Sequence, residues 1–207
     1  MRVLILGCGY VGRELGRQLL ESGHDVIGVV RSASSAEAIE DDGIEAVQAD
    51  LTDPDAVSTL ADADAVVFAA SAGRGSVADA RSLYVQGLRA VVSEFESRES
   101  PPERLLLTST TGVYGDHDGD WVDESTPVDP DRPKAAVIAE AEAIVHRSRI
   151  DGTVARFAGL YGPGRYRIDA YLDSVTAGWR NSVHRDDAAG ALAWFLTEDV
   201  AREEMCS

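Results

Sequence analysis

The hydrophobic residues of this chain fall in short blocks separated by longer amphipathic segments. The blocks read RVLIL, DVIGVV, IEAVQ, ADAVVFAA and RLLLTS, and they show little alternation of apolar and polar positions. Strands that are buried on both faces of a parallel sheet have this character. The pattern therefore predicts strands over residues 2–6, 25–30, 44–48, 63–70 and 104–109.

Segments with helical spacing lie between these strands. In the first of them, Val11, Leu15, Leu19 and Leu20 fall on one side of a helix. A regular alternation of strand and helix predicts an α/β fold, in which a parallel sheet is covered by helices on both faces. The predicted helices cover residues 11–22, 34–42, 53–60 and 76–98, and the one long irregular stretch covers 110–133.

Length and charge narrow the class of protein. With 207 residues the chain is long enough for one domain with a substantial core, and we treat residues 1–207 as a single domain. The formal net charge is -17, and Lys134 is the only lysine. A surface this acidic repels phosphate backbones, which argues against nucleic acid as a partner. Acidic surfaces almost free of lysine are typical of salt-adapted, halophilic cytoplasms, although an ordinary acidic protein can share the feature.

The chain shows no mark of secretion or of membrane insertion. The N-terminus runs directly into an apolar strand without a signal-peptide pattern, and no apolar run approaches the length of a membrane span. The two cysteines, Cys8 and Cys206, give no disulfide framework. We therefore expect a cytoplasmic protein with no membrane partner.

The clearest motif is the sequence LILGCGYVGRELG, which contains the first strand and the start of the first helix. Its glycines Gly7, Gly9 and Gly12 have the spacing G-x-G-x-x-G. In a Rossmann-type, doubly wound sheet the first glycine permits a tight turn, the second lets a pyrophosphate approach the backbone, and the third lets helix and strand pack closely. The motif predicts dinucleotide binding, with a tight turn that holds no ligand as the alternative.

The other residues of this turn belong to the same predicted site. Free N–H groups at the start of a helix bind anions, so we expect Tyr10 and Val11 beside the cofactor. Cys8 also lies in the turn, and the sequence places no base beside it. We interpret Cys8 as a small residue at the cofactor and not as a nucleophile.

The ends of the second and third strands bear on the choice of cofactor. An NAD site usually has an acidic residue about 20 residues after the glycine motif. Here that position holds Val30, followed by Arg31 and Ser32. An arginine without that carboxylate favours the 2′-phosphate of NADP over NAD, unless Arg31 is only a solvated charge. Asp50 and Leu51 are expected to flank the adenine, with a helix cap as the alternative role of Asp50.

Several segments together resemble the extended short-chain dehydrogenase/reductases, also called the NAD-dependent epimerase/dehydratase family. They are GCGYVG, ADL, VVFAASAG, LLLTSTTGVYGD, RFAGLYGPGR and NSVHRDDAAGAL, in the family's order. The resemblance is greatest to atypical, sugar-epimerase-like members. It implies that the first half of the chain binds NAD(P), with Ala69 and Ala70 at the cofactor. It also implies a small-molecule substrate, often a nucleotide sugar, and is compatible with a homodimer.

The resemblance implies roles for residues near the fifth strand. In TSTTGVYG it puts Thr110 in the position of the family's catalytic Ser/Thr, whose hydroxyl binds the reacting oxygen. Parallel sheets bind ligands at the carboxyl ends of their strands, but a threonine-rich strand end can also be purely structural. Tyr114 and Tyr161 are the candidates to supply a proton.

Two later motifs bring in candidate substrate ligands. RFAGLYGPGR resembles the family's strand and loop beside nicotinamide and substrate, where Arg165 is expected to bind a phosphate or carboxylate. In NSVHRDDAAGAL, His184 is a second candidate, with a structural histidine as the alternative. Residues 159–207 would thus form a reduced substrate-binding portion. Because the family normally continues further, we expect a truncated member with an open cleft.

The family's catalytic Tyr-x-x-x-Lys motif is missing from the segment DPDRPKAAVIAEAE. Lys134 has Pro130 at the position that the tyrosine would take. The family often has a glutamate four residues after its lysine, and two glutamates of this segment are candidates. If it is Glu140, the tyrosine and lysine positions hold Arg132 and Ala136.

The second glutamate gives a different register with the same outcome. If it is Glu142, the tyrosine and lysine positions hold Lys134 and Ile138. Because Pro133 marks the first turn of a helix, we interpret Lys134 as an exposed residue of that turn that is dispensable for catalysis.

The acidic stretch DHDGDWVDE resembles a calcium loop only in part. Asp116, Asp118 and Asp120 alternate, but the glycine position of such a loop holds Trp121 and its glutamate position holds Pro127. We interpret this stretch as a solvated loop and predict no metal.

Two functions of different classes stay open at this point. One is an NAD(P)-dependent oxidoreductase or epimerase acting on a sugar-nucleotide-like carbonyl. The other is a non-catalytic NADP-binding redox sensor or partner-binding module. Retention of Thr110 and of the GPG loop favours the enzyme, whereas the absence of Tyr-x-x-x-Lys favours the binding module.

Overall fold

A computed structural model describes residues 1–166 and 181–198, and Cys206 lies outside these residues. The main strands are β1 (Arg2–Leu6), β2 (Asp25–Val30), β3 (Glu45–Gln48), β4 (Ala65–Phe68), β5 (Arg104–Thr110) and β6 (Asp151–Phe157). They form one parallel sheet in the order β3-β2-β1-β4-β5-β6. This is the strand order of a doubly wound sheet, and the predicted Rossmann-type α/β fold is confirmed.

Helices cover both faces of this sheet. They are α1 (Tyr10–Glu21), α2 (Ala33–Glu40), α3 (Pro54–Ser58), α4 (Val77–Arg81), α5 (Leu88–Ser97), α6 (Pro133–Arg147) and α7 (Arg185–Thr197). The core on one face receives side chains from α1, α2 and α7, and the core on the other face receives them from α3, α5 and α6.

The first strand shows why the apolar blocks lack alternation. Val3 and Ile5 point into the core beside α1, whereas Leu4 and Leu6 point into the core beside α5. All four side chains are fully buried. Since each face of the sheet meets a layer of helices, every position of such a strand must be apolar.

Two of the helix starts follow directly from side-chain chemistry. The carboxylate of Asp53 accepts a hydrogen bond from the N–H of Asp55, and Pro54 is the first residue of α3. At α4, Ser76 accepts from the N–H of Asp79, whose carboxylate accepts from the N–H of Ser76. Such caps satisfy N–H groups that lack a partner within the helix.

The helix expected over residues 76–98 is interrupted in the structure. A π-helical segment, Ser82–Gly87, lies between α4 and α5. A Cβ atom on Gly87 would lie 2.7 Å from the carbonyl oxygen of Leu51, so only a glycine lets the helix pass this close to the loop after β3. Apolar spacing alone does not distinguish this segment from an ordinary helical turn.

A second, small sheet lies beyond the main one. Its parallel strands are β7 (Gly159–Tyr161) and β8 (Ser182–His184), and Tyr161 pairs with His184. The predicted irregular stretch begins with a 3₁₀ turn, Thr111–Tyr114, and runs as a loop to the start of α6. In the described part of the chain, no helix is both long and apolar enough to cross a membrane.

Candidate functional site

A cleft of about 1040 Å³ opens at the carboxyl ends of the parallel strands. Its walls include the turn after β1, the residues that follow β2, β3 and β4, the end of β5, the π-helical segment, one residue of α6 and residues at and after the end of β6. Doubly wound sheets bind their ligands at this edge. We refer to this space as the cleft throughout.

The glycine turn forms one wall of the cleft. Gly7 has φ +87°, and its N–H and that of Cys8 both donate to the carbonyl oxygen of Val29. A Cβ atom on Gly7 would lie 2.2 Å from the Cα of Ala70, so the turn is wedged between β2 and the end of β4. Only glycine fits this position, both by φ and by space.

The other two glycines of the motif have different surroundings. A Cβ atom on Gly9 would have no neighbour closer than 4.0 Å, so the backbone there is open to the cleft. Gly12 is buried, and a Cβ on it would lie 2.9 Å from Cγ2 of Ile5. Gly12 therefore lets α1 pack on β1 and lies outside the cleft lining, whereas Tyr10 and Val11 are part of that lining.

These features fit a dinucleotide. The first N–H groups of a helix have no partner within it, and the helix N-terminus carries partial positive charge. In α1 these groups stand directly after the open backbone of Gly9, where a pyrophosphate would find them. The residues present thus match the group that the motif implies.

Cys8 is a packing residue of the turn. Its side chain is 2% exposed, and burial raises the pKa of its thiol to about 12, although the nearby charge of Arg13 acts in the opposite direction. A Cβ atom on Gly28 would lie 2.9 Å from the sulfur, so the thiol fits against β2. A thiol of this kind is a poor nucleophile.

The end of β2 lies at one end of the cleft. Arg31 lines the cleft with an exposed side chain, and no carboxylate precedes it because residue 30 is a valine. Ser32, in contrast, is the cap of α2, and its hydroxyl accepts from the N–H of Ser35 at 3.3 Å. Ser35, which was not among the predicted site residues, also lines the cleft.

The residues after β3 also reach the cleft. Asp50 and Leu51 both line it. Asp50 accepts from the N–H and the hydroxyl of Thr52, at 2.9 and 2.8 Å, and these hydrogen bonds lower the pKa of its carboxyl. The cap of α3 is Asp53, so the alternative role of Asp50 as a helix cap does not apply.

The end of β4 completes the predicted cofactor wall. Ala69 and Ala70 line the cleft. The N–H of Ala69 donates to the carbonyl oxygen of Leu6 at 2.8 Å, which continues the pairing of β1 and β4 into the wall. Small side chains here leave the space in front of the glycine turn open.

Of the three candidate catalytic residues, Thr110 lines the cleft and the two tyrosines do not. The Thr110 hydroxyl accepts from the N–H of Gly112 at 3.1 Å, which caps the 3₁₀ turn. Tyr114 is buried, and its hydroxyl accepts from Nη1 of Arg156 at 2.8 Å. Tyr161 is 41% exposed on the small sheet, with its ring against that of His184.

Of the two candidate substrate ligands, one lines the cleft and the other does not. Arg165 lines the cleft, and its guanidinium lies 3.9 Å from the centre of the Tyr10 ring. His184 is the cap of α7, and its Nδ1 accepts from the N–H of Asp186 at 3.2 Å. His184 does not line the cleft, which matches the structural alternative for this residue.

The two candidate glutamates of α6 have different surroundings. Glu142 is 3% exposed, whereas Glu140 lies on the surface and pairs with Arg81. Ile138, one turn before Glu142, lines the cleft, and Lys134 lies one turn further back. If Glu142 is the family's glutamate, the tyrosine and lysine positions hold Lys134 and Ile138.

The expectation that Lys134 is exposed is wrong. Pro133 does begin α6, as predicted, but the Lys134 side chain is half-buried. Its Nζ donates to the carbonyl oxygen of Gly73 at 3.4 Å, and Gly73 lines the cleft. The sequence could not show this contact, because it joins residues 61 positions apart.

Sequence reasoning missed a buried ionic network behind the end of β5. Arg156 donates through Nε and Nη2 to the two carboxylate oxygens of Glu142, at 3.0 and 2.7 Å. Ser109, which lines the cleft, donates to the same carboxylate at 2.5 Å. The guanidinium also reaches the Tyr114 hydroxyl, so this network holds the strand end that carries Thr110.

The acidic loop brings together no obvious metal ligands. Asp116 accepts from the N–H of Asp118, and Trp121 is fully exposed. Across residues 1–166 and 181–198, no group of three or more His, Cys, Asp or Glu side chains is arranged to hold a metal ion.

Comparisons with known proteins agree with this site. A family model described as NAD(P)H-binding matches residues 7–199. Protein YeeZ of Escherichia coli K12 is 32% identical over 206 residues, which cover 94% of this chain and 73% of YeeZ. The chain therefore belongs to the NAD(P)H-binding family.

Solved structures point to the same group of proteins. A Methylobacillus flagellatus protein classed as an NAD-dependent epimerase/dehydratase is 35% identical, with a TM-score of 0.78 over 93% of this chain and 68% of that chain. The dTDP-glucose 4,6-dehydratase DesIV of Streptomyces venezuelae, solved with NAD, is 25% identical, with a TM-score of 0.80 over 97% and 73%. The expected kinship with NAD-dependent epimerases and dehydratases is confirmed.

Proposed function

We propose that this protein is an NAD(P)-dependent oxidoreductase or epimerase that acts on a carbonyl group of a sugar-nucleotide-like substrate. One observation carries the proposal: a single continuous cleft runs from the glycine turn to Thr110 and Arg165. A dinucleotide and a second small molecule would therefore share one space, as hydride transfer between them requires.

The glycine turn and the residues after β3 and β4 bind the cofactor and orient it in the cleft. The open backbone at Gly9 and the first N–H groups of α1 hold the pyrophosphate, while the loop at Asp50 and Leu51 flanks the adenine. When bound, the nicotinamide supplies or accepts a hydride. Ala69 and Ala70 keep the space beside it free of side chains.

We propose NADP as the preferred cofactor. Arg31 lines the cleft at the end of β2, and the carboxylate that would bind the ribose hydroxyls of NAD is replaced by Val30. An exposed guanidinium matches a 2′-phosphate in charge and in geometry. NAD is the alternative, since DesIV was solved with it.

We propose that Thr110 and Arg165 bind the substrate. The Thr110 hydroxyl accepts from Gly112 and keeps its own proton for the reacting oxygen. Arg165 provides a positive charge in a chain of net charge -17, which suits a phosphate or carboxylate group. The dTDP-glucose substrate named for DesIV supports a nucleotide sugar. We also propose a cytoplasmic, salt-adapted setting, because the chain is strongly acidic and has a single lysine.

A non-catalytic NADP-binding module is the second candidate. The absence of Tyr-x-x-x-Lys favours it, and the α6 residue that lines the cleft is the apolar Ile138. A protein of this kind would bind the cofactor tightly and transfer no hydride.

Hydride transfer from bound cofactor to a panel of nucleotide sugars would decide between the two. We expect transfer with at least one of them, and Thr110→Val should lower the rate about 100-fold, because a hydroxyl aimed at the reacting oxygen is lost. Thr110→Ser keeps the hydroxyl and the cap and should stay near the wild-type rate. Tight NADPH binding without any transfer would favour the binding module.

A further inference from the structure

Two side chains from different helical segments bond to the backbone of one short stretch of the cleft wall. The N–H of Ala72 donates to the hydroxyl of Tyr84 at 3.4 Å, and Nζ of Lys134 donates to the carbonyl oxygen of Gly73 at the same distance. Ala72 and Gly73 are consecutive, with Cα atoms about 3.8 Å apart. The phenol of Tyr84 and the ammonium of the chain's only lysine are thus hydrogen-bonded to two consecutive residues of one wall.

The π-helical segment brings Tyr84 to this place. Ser82, Leu83 and Tyr84 are three successive residues of that segment, and all of them line the cleft. An ordinary helix that packs on a sheet turns only some of its successive residues to one side. Single π-helical turns are frequent at functional sites.

The hydroxyl of Tyr84 is free to act as a donor. A hydroxyl has one proton and two acceptor positions, and the bond from Ala72 uses only an acceptor position. Tyr10 also lines the cleft, but its buried hydroxyl lies against Gly162, outside the lining. The Tyr114 hydroxyl is held by Arg156.

We propose that Tyr84 is the catalytic acid–base residue of the cleft and that Lys134 is the positioning residue whose charge stabilises its phenolate. This rests on the proposed function. A carbonyl that is reduced needs a proton donor at its oxygen. Phenols release a proton far more readily than the Ser and Thr hydroxyls that also line the cleft.

The reaction balances with these groups. In the reductive direction the carbonyl carbon gains a hydride from the reduced nicotinamide, which is oxidised. The Tyr84 O–H bond breaks, and its proton forms the new O–H bond of the alcohol. The phenolate, which the charge of Lys134 stabilises in this proposal, regains a proton from water. The oxidative direction reverses each step.

Other charged groups near Tyr84 and Lys134 must be considered when the experiment is designed. Asp79 lines the cleft on α4, accepts from Ser76, and interacts electrostatically with Lys134. Arg81 and Glu140 pair with each other at the surface. Lys134 could therefore serve Asp79 instead of Tyr84, and a measurement on Tyr84 itself is needed to distinguish the two roles.

The first test needs no cofactor and no substrate. In protein labelled with ¹³C at the tyrosine ring carbon that bears oxygen, the Tyr84 signal is assigned as the one lost in Tyr84→Phe. We expect Lys134→Gln to move the titration midpoint of this signal to higher pH, and Arg132→Gln, which removes an exposed charge from the loop just before α6, to leave it in place. An unmoved midpoint in Lys134→Gln would overturn the pairing.

The second test measures turnover and NADPH affinity in parallel. Tyr84→Phe should lower kcat about 10²- to 10⁴-fold, the usual range for a lost acid–base group, with NADPH affinity unchanged. Tyr166→Phe, which removes a hydroxyl outside the cleft, should keep the wild-type rate. Lys134→Gln should lower kcat and move its pH profile upward, and Lys134→Arg should restore part of both.

These outcomes separate the two proposals. A Tyr84→Phe variant with an unchanged rate would overturn the acid–base assignment and leave the proposed function standing. Wild-type protein that binds NADPH but reduces no carbonyl would overturn the proposed function, and the titration would still decide whether Tyr84 and Lys134 are paired.

Discussion

Gly7 and Ala70 touch across the sheet: a Cβ atom on Gly7 would lie 2.2 Å from the Cα and 2.4 Å from the backbone nitrogen of Ala70. The contact joins the turn after β1 to the residues after β4, which are neighbouring strands. Gly9, two residues further on, has open space above its backbone. The first glycine of the motif therefore allows close packing within the fold, and the second leaves the backbone accessible to a ligand.

Gly9→Val should abolish cofactor binding while the fold survives. A Cβ atom on Gly9 meets nothing closer than 4.0 Å, but a valine side chain would fill the position from which a pyrophosphate approaches the backbone. We expect NADPH affinity to fall by at least about 100-fold, or ~2.7 kcal/mol, in a fluorescence titration, with the melting temperature near that of wild type. Gly190→Ala, on α7 and outside the cleft lining, is the control. Unchanged NADPH affinity in Gly9→Val would contradict the assignment.

Arg31→Ala should separate the two nicotinamide cofactors. If Arg31 binds the 2′-phosphate, its loss removes a hydrogen bond to a charged group, which is typically worth about 1.5–3 kcal/mol. We expect NADPH affinity to fall about 10- to 150-fold and NADH affinity to stay nearly constant. Both affinities should be measured at one fixed salt concentration, since the contact is exposed and screened by ions. An equal loss for both cofactors would show that Arg31 does not discriminate.

Much of the fold could be predicted because its signals are local. The five apolar blocks and the glycine motif predicted a parallel sheet with a dinucleotide turn, and predicted strands such as residues 2–6 and 25–30 agree with the structure to the residue. The start of α6 at Pro133 followed the same logic, since the preference of proline for a first helical turn is also local.

The candidate site was harder to predict because its contacts are long-range. The bond from Lys134 to Gly73 and the ion pair of Glu142 with Arg156 depend on how α6 packs against β5 and β6. A choice between Glu140 and Glu142 requires knowing which face of α6 is buried, and the short alanine-rich sequence leaves that face undefined. Tyr84 had no signal beyond an ordinary helical pattern.

Glu142→Gln should destabilise the protein far more than Glu140→Gln. Glu142 is buried with Arg156, so removing its charge leaves a guanidinium without its counter-charge in the interior, at a typical cost of about 3–5 kcal/mol. Glu140 pairs with Arg81 on the surface, where water and salt screen the attraction, so the loss of this pair should cost much less. Urea unfolding of the two variants gives both free energies under one set of conditions. Equal values would mean that the buried pair adds no more than an exposed one.

Cys8 should react with iodoacetamide much more slowly than an ordinary thiol. Burial raises the pKa of its thiol from 9.0 to about 12, and the thiolate is the reactive form. In a Cys206→Ser variant, where Cys8 is the remaining cysteine, we expect alkylation at pH 8 to be on the order of 100- to 1000-fold slower than for a free thiol. Between pH 8 and 10 the rate should keep rising about tenfold per pH unit, while that of a free thiol levels off as it passes its own pKa. The same variant unfolded in urea should react at the ordinary rate. Fast alkylation of the folded variant at pH 8 would show that the glycine turn opens in solution and exposes Cys8.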